Sequence, residues 1–327
     1  MRIIKPQSVI MKHDVTPIEF IEKVGRTCYK SEDKIAEGSA EVFVRNLIKR
    51  EHWAMLEHET VYLLLSDAFM KEFLHEMDKE RARKDVYTEP LAYFKISREE
   101  GANILSGSFR AFHDLFVNHT GMTVEYIHKT LHNAFPVVFD AGKMSKIDVY
   151  GVLDCEVLSR STFIGMFKNR PHILFKHLTH TVMFTCDRGV SHEFVRHRPC
   201  SFAQESTRYC NYNLGKFGSE VTVIDPFFWE ENTAKFDIWK YQMQMQEGSY
   251  ISLIEQGATP QEARTVLANS LKTELIMTAT EFEWQHIVNL RYIGTTGAPH
   301  PQMVESMSLI VEDLAKESEG RIKHERV

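Results

Sequence analysis

Residues 196–209 read Arg196-His197-Arg198-Pro199-Cys200-Ser201-Phe202-Ala203-Gln204-Glu205-Ser206-Thr207-Arg208-Tyr209. Guanidinium groups present planar forks of donors that match phosphate oxygens, and a glutamine both donates and accepts. This short stretch therefore carries what is needed to hold a phosphate and a planar heterocycle. Any one of its arginines taken alone would be expected to make a surface ion pair. Clustered with Gln204, Glu205 and Ser206, the three point instead to a shared anionic ligand.

Two local patterns compete with that reading. His192-Glu193 followed by His197 resembles a zinc-protease helix, but the second histidine comes five residues after the first, which turns it about 140° away around a helix. No metal is expected. Cys200 and Cys210 have the chemistry of nucleophiles, and arginines near Cys200 favour a thiolate. The other reading of Cys200 is a small packing residue.

Several elements must position these groups. Asp187-Arg188-Gly189 ends a strand and Val190 to His197 has the look of a short helix, so the polar loop is delivered from a strand, a turn and a helix. Pro199 stops the helix, and residues 200–206 are expected to run extended. That strand is expected over Leu174–Phe184, with Leu174, Leu178, Val182 and Phe184 on a buried face and His177, Thr179 and Thr181 on a half-polar one. Another is expected over Val61–Leu65. Phe69, Phe73 and Met77, with Met70 and Leu74, form a helical stripe whose charged continuation from Asp78 to Asp85 reads as a solvated end. Val124–Phe139 reads as a helix, Met144–Asn169 has little periodicity, and 66–171 is expected to be a mixed excursion without linker composition.

The C-terminal third is better punctuated. Thr259-Pro260-Gln261-Glu262 has capping-box spacing with proline first, so a helix carrying Arg264 begins there. Lys272–Thr278 reads as a strand. Thr280-Glu281-Phe282-Glu283 opens a second capped helix through Tyr292, with Arg291 beside the apolar stripe of Trp284, Ile287 and Val288. Gly294 to Pro299 must break it, and Met303, Met307, Ile310 and Leu314 mark a final helix.

The net charge of −6 over 327 residues argues against a nucleic-acid coat. Five cysteines without C-x-x-C spacing indicate neither a disulfide framework nor a zinc ribbon. The N-terminus has no apolar signal region and no run is long enough to span a bilayer, so a cytoplasmic protein is expected.

Arg-His-Arg, seven residues, then Ser resembles the signature of the flavin-dependent thymidylate synthases. The likeness extends to Arg26-Thr27-Cys28-Tyr29, His52 with Leu56-Glu57-His58, Asp187 to Glu193, Ala263 to Leu267 and Asn289-Leu290-Arg291, in the family's order. Ile104 to Phe112 resembles a segment many members carry. The resemblance implies a single α/β domain over 1–327 with a twisted, mostly antiparallel sheet flanked by helices, an atypical insertion at about 66–171, and a homotetramer with shared active sites. It implies methylation of dUMP to dTMP, with 5,10-methylenetetrahydrofolate as methylene donor, NADPH as reductant and FAD as hydride carrier.

By position, it assigns Arg196, His197, Arg198, Gln204, Ala54, Glu57, Thr280, Glu281, Phe282 and His286 to FAD. Glu193, Gln204, Glu205, Ser206, Thr207, Arg208, Arg264 and Arg291 fall to dUMP. Arg291 and His52 are the implied catalytic residues, Arg291 as the guanidinium that polarises the uracil ring and stabilises charge developing on it. No cysteine attacks the pyrimidine in this family. The chain departs from the pattern at Ala54, where a hydroxyl is usual, at Thr280 to Phe282, where Asn-x-Arg is common, and at Gln204, where Glu is frequent. Flavin affinity or pose is expected to differ. The competing readings are a non-catalytic nucleotide-binding homologue with a decayed flavin site, and a zinc hydrolase built on His192, Glu193 and His197.

Overall fold

The structure, a computed structural model, describes residues 1–84, 91–99, 101–139, 154–208, 212 and 220–325. Ten strands lie among them: β1 (Arg2–Ile4), β2 (Gln7–Met11), β3 (Thr60–Leu65), β4 (Lys95–Glu99), β5 (Ala102–Ser108), β6 (Cys155–Leu158), β7 (Thr179–Asp187), β8 (Ser201–Gln204), β9 (Thr222–Ile224) and β10 (Lys272–Thr280). They form sheets ordered β2-β7-β10-β8 and β4-β5-β3-β6, with a separate β1-β9 pair. Except for parallel β1-β9, the registered pairs are antiparallel, so the chain is mixed α/β with mainly antiparallel sheets. It folds as two compact units, one of Met1–Lys12, Lys23–Lys34 and His180–Val327, the other of His13–Glu22 and Ile35–Thr179.

The second unit contains the whole 66–171 stretch. β3 is a strand where alternation predicts one, and its partners β5 and β6 come from within that stretch. Phe69, Met70, Phe73 and Met77 of the Asp67–Lys84 helix are buried with Phe109, Phe112 and Leu131. In the charged run, Asp78 and Lys79 are exposed, while Asp85 lies outside the described residues. The helix expected over Val124–Phe139 ends at Ala134, because Pro136 disfavours a helical Phe135. Val138 and Phe139 are buried beyond it. Of Met144–Asn169, the described part holds β6 and a helix, Arg160–Phe167.

The strand expected over Leu174–Phe184 is wrong in its first part. Pro171 opens a helix, Pro171–His177, that buries Ile173, Leu174 and His177. Leu174 and Leu178 are four residues apart, a spacing that fits a helix face as well as the even positions of a strand. His177 is fully buried and lies 2.9 Å from Ser97 Oγ and 2.8 Å from Ser106 Oγ. Burial holds its pKa down to about 3, with nearby Lys176 and Lys95 adding to the effect, so the ring is neutral and uses both nitrogens as one donor and one acceptor.

In the first unit, β7 is buried along nearly its whole length. Its threonines are therefore not on a half-polar face: Thr181 and Thr278 share a hydroxyl–hydroxyl hydrogen bond of 2.7 Å between β7 and β10. Trp284, Ile287 and Val288 of the Glu281–Val288 helix pack with Leu275, Met277 and Phe194. Met303, Met307, Ile310 and Leu314 are all buried, but on two helices, Pro301–Ser308 and Val311–Glu317. A second cluster gathers Trp239, Met243 and Tyr250 of the long Ala234–Glu255 helix around Val223 and Leu271. Among the described residues, no helix is long and apolar enough to cross a membrane.

Candidate functional site

β7 ends at Asp187, whose carboxylate caps the Arg188–Phe194 helix by accepting from the Val190 N–H at 2.8 Å. Its other oxygen accepts from Gln302 Nε2 at 2.9 Å, and burial raises its pKa. The cap fixes where the helix starts and hence which residues leave its far end. Ser191 is buried inside, Glu193 is half-buried, and the chain passes through Arg196, His197 and Arg198 into β8.

β8 pairs with β10 so that Gln204 faces Leu275. Directly opposed residues of an antiparallel pair share a face, and Gln204 Nε2 donates to Ser191 Oγ at 2.9 Å and to Thr273 Oγ1 at 3.2 Å on that face. The next residues turn off the sheet edge. Thr207 Oγ1 accepts from Arg264 Nη1 at 3.2 Å, which brings a predicted arginine from outside the stretch to the loop. Arg264 sits not in a long helix but in a 3-10 turn, Arg264–Val266, after one capped turn, Pro260–Ala263. Arg208 is exposed, whereas Glu205 and Thr207 are buried.

Thr280 accepts from the Glu283 N–H at 3.3 Å and so caps the Glu281–Val288 helix. The helix widens into a single π turn, Asn289–Ile293, which Gly294 closes at φ 84 with its N–H on Asn289 O at 2.8 Å. Only a residue at ease in the left-handed region can do this, and a Cβ at Gly294 would meet Pro299. The widened turn carries Arg291 off the phase of the buried stripe. Its Nη1 donates to Glu193 Oε2 at 2.6 Å, its Nη2 to Glu193 O at 3.2 Å, and its Nε to His197 Nε2 at 2.9 Å.

His197 is buried, and its pKa is pushed down to about 4 by burial first and then by the charges of Arg291, His286 and Arg196. An arginine N–H cannot donate to a protonated nitrogen, so His197 is neutral, with Nε2 as acceptor and its proton on Nδ1. Arg196 and Arg198 are exposed, Arg198 Nη1 donating to Val195 O at 2.6 Å and His197 O at 2.7 Å. Glu193 and His197 are thus both committed to Arg291 while His192 is exposed. Among the described residues, no group of three His, Cys, Asp or Glu side chains could hold a metal ion. Cys200 packs beside the Leu275–Trp284 cluster, and Cys210 lies outside the described residues.

The predicted flavin residues fare unequally. Phe282 is exposed, and His286 is exposed with its ring 6.1 Å from that of His197. Glu281 is fully buried: Arg321 grips it from Nε at 2.6 Å and Nη2 at 2.9 Å, and His180 Nε2 lies 2.9 Å from Oε1. Both oxygens of Glu281 are thus occupied within the protein. Thr280 spends its hydroxyl on the helix cap. His52, Ala54 and Glu57 belong to the second unit, where His52 and Ala54 are exposed around the Trp53–His58 turn and Glu57 accepts from Arg110 Nη1 at 2.5 Å.

The sequence reading missed Lys30, Lys272 and Glu274, which surround Glu205. Two charges at i and i+2 on the first residues of a strand that continues Leu275-Ile276-Met277 were the available signal.

Residues 153–315 match the family described as thymidylate synthase complementing protein. Residues 153–315 belong to this family. A flavin-dependent thymidylate synthase of Pyrococcus furiosus is 29% identical over 153 residues, which cover 44% of this chain and 62% of that one. Another, of Thermococcus onnurineus, is 30% identical over 106 residues, 32% of this chain and 42% of that one. The chain thus spans less than two thirds of the length of the curated relatives it matches. A UMP/dUMP methylase from Streptomyces cacaoi bound with 5-Br dUMP aligns over the full length of both chains at 12% identity and a TM-score of 0.41, a likeness that carries no argument about ligand or fold. The matched residues include the whole route from Asp187 through the Arg-His-Arg loop to Arg291.

Proposed function

We propose that the protein is an FAD-dependent thymidylate synthase, converting dUMP to dTMP with 5,10-methylenetetrahydrofolate as methylene donor and NADPH as reductant. The observation that carries the reading is the convergence on the signature loop of two arginines far away in sequence. Arg291 reaches Glu193 and His197, and Arg264 reaches Thr207. A dianionic phosphate suits Arg208, Arg264 and the Ser206 hydroxyl, while Gln204 retains an amide oxygen able to read an N–H of the base. Arg291 would polarise a uracil carbonyl once a nucleotide competes for its N–H groups.

For FAD, the donor set fits in part. Arg196 and Arg198 offer exposed guanidiniums for a diphosphate, and Phe282 and His286 offer exposed rings for a flat heterocycle. Glu281 is withdrawn from the set. Bound and reduced, the flavin would supply the hydride. Ala54, Glu57 and His52 remain in the proposal on family position alone, as do a homotetramer with shared sites, a single functional domain over 1–327 and a cytoplasmic location.

The test is tritium release from 5-labelled dUMP, with and without folate and NADPH, alongside the absorption spectrum of the purified protein. Yellow protein that releases tritium supports the synthase. Colourless protein that binds dUMP but neither takes up FAD nor oxidises NADPH overturns it in favour of a non-catalytic nucleotide-binding homologue.

A further inference from the structure

Beneath the loop that follows β8 lies a compact ionic cluster. Lys272 Nζ is 2.9 Å from Glu205 Oε2 and 2.7 Å from Glu274 Oε1. Lys30 pairs with Glu274 and lies 4.0 Å from Glu205 Oε2. Tyr212 donates its hydroxyl to Glu205 Oε1 at 3.3 Å. The Glu205 side chain is only 2% exposed, and those of Lys272, Lys30 and Glu274 are 16–17% exposed. The two ammonium and two enclosed carboxylate groups balance, with Glu32 at the exposed edge 3.9 Å from Lys30, and such balance is the condition for placing charges so far from water. Burial alone would lower the Lys272 pKa and raise that of Glu274, yet their mutual attraction overcomes it and each stays charged.

The backbone reinforces the cluster. The Glu205 N–H donates to Glu274 O at 2.8 Å, and the Ser206 N–H to Cys28 O at 3.4 Å. Alternation along β10 then separates two tasks. Thr273 holds the Gln204 amide on one face, while Lys272 and Glu274, on the opposite face, hold the Glu205 carboxylate. Consecutive loop residues are pinned on opposite sides of a single strand, immediately before Ser206, Thr207 and Arg208.

We propose that Lys272, supported by Lys30 and Glu274, is a positioning residue for the nucleotide loop, and that Glu205 is the anchor it holds instead of a ligand of the nucleotide. The inference rests on the reading of dUMP as the ligand of this loop. Without Lys272 the loop keeps its sequence but loses its fixed start, and an uncompensated carboxylate is left beside a site for a dianion. The penalty falls on nucleotide binding, whereas the flavin residues Arg196 and Arg198 lie outside the cluster.

The experiment compares full-length, FAD-loaded wild type with Lys272→Met, Lys272→Arg and Glu205→Leu. It measures dUMP affinity by equilibrium dialysis, KM and kcat by tritium release, and bound FAD by absorbance. Lys272→Met should raise both Kd and KM for dUMP about tenfold or more, as expected for stranding one partner of a buried charge pair, with FAD content unchanged. Its kcat at saturating dUMP should stay within about threefold, the pattern of lost uniform binding. Lys272→Arg should recover most of the affinity. Glu205→Leu removes the anchor without stranding a carboxylate and should also raise KM, so it serves if Lys272→Met does not fold. The role is overturned if either folded variant binds dUMP like wild type, or if kcat falls with KM unchanged and Lys272→Arg gives no rescue. Wild-type protein that fails to bind dUMP overturns the substrate reading itself, a result distinct from the other two.

Discussion

Glu193 holds Arg291 by two oxygens: its carboxylate accepts from Nη1 at 2.6 Å and its main-chain carbonyl from Nη2 at 3.2 Å. The guanidinium charge is therefore neutralised in place and oriented before any ligand arrives. On the proposed function, a nucleotide would have to compete with the carboxylate for at least one N–H, which would tie substrate affinity to the strength of that pair.

Arg291→Ala should slow turnover by about 10²-fold or more, as for a lost oxyanion donor. Glu193→Gln should keep the fold and free the guanidinium while retaining an acceptor. Steady-state tritium release on the two variants checks this. Near-normal turnover by Arg291→Ala would remove the residue from the chemistry.

On the proposed reaction, Cys200→Ala should keep dTMP formation, because the ring carbon would become nucleophilic through polarisation and not through addition of a thiolate. Product analysis by chromatography suffices, and complete loss of dTMP in a folded, flavin-loaded variant contradicts the mechanism.

The Glu281–Arg321 pair is buried and bidentate. Arg321→Met strands the carboxylate and should lower unfolding stability by about 3–5 kcal/mol, the range for breaking such a pair. Urea titration gives the number. Bound flavin per folded molecule should not change; its loss without a change in stability would return Glu281 to the cofactor site.

His177 carries a pH dependence of known sign. Its folded pKa of about 3 lies below the ordinary histidine value of 6.5, so the unfolded chain binds the extra proton first. The stabilisation is complete above about pH 6.5 and is lost as pH falls towards 3, at up to about 1.4 kcal/mol per pH unit. Urea unfolding of wild type and His177→Leu at pH 7 and pH 5 should show a shallower slope in the variant. Equal slopes would assign the acid sensitivity to other groups.

Local rules made much of the fold legible. Thr280 caps its helix, Thr259 caps its turn, and the apolar stripe of Phe69, Phe73 and Met77 is buried, because each depends on neighbours within a few residues. The Arg-His-Arg loop and Arg291 were legible as chemistry through residue type. What escaped depends on distant partners. Lys30 and Glu274 are 244 residues apart in sequence, and nothing near either announces the other. Glu281 looks like any helix-start acid until Arg321 reaches it from the C-terminal segment. The Leu174–His177 error came from a spacing that two periodicities share, which only Pro171 could have resolved.

The opposed pinning of Gln204 and Glu205 makes the seven residues between Arg198 and Ser206 a length standard. Adding or removing one residue there would present the amide to the lysines and the carboxylate to Ser191 and Thr273, inverting both contacts at once. The spacing is set by the pleat of β10, so substitutions between Pro199 and Ala203 should be better tolerated than changes in length.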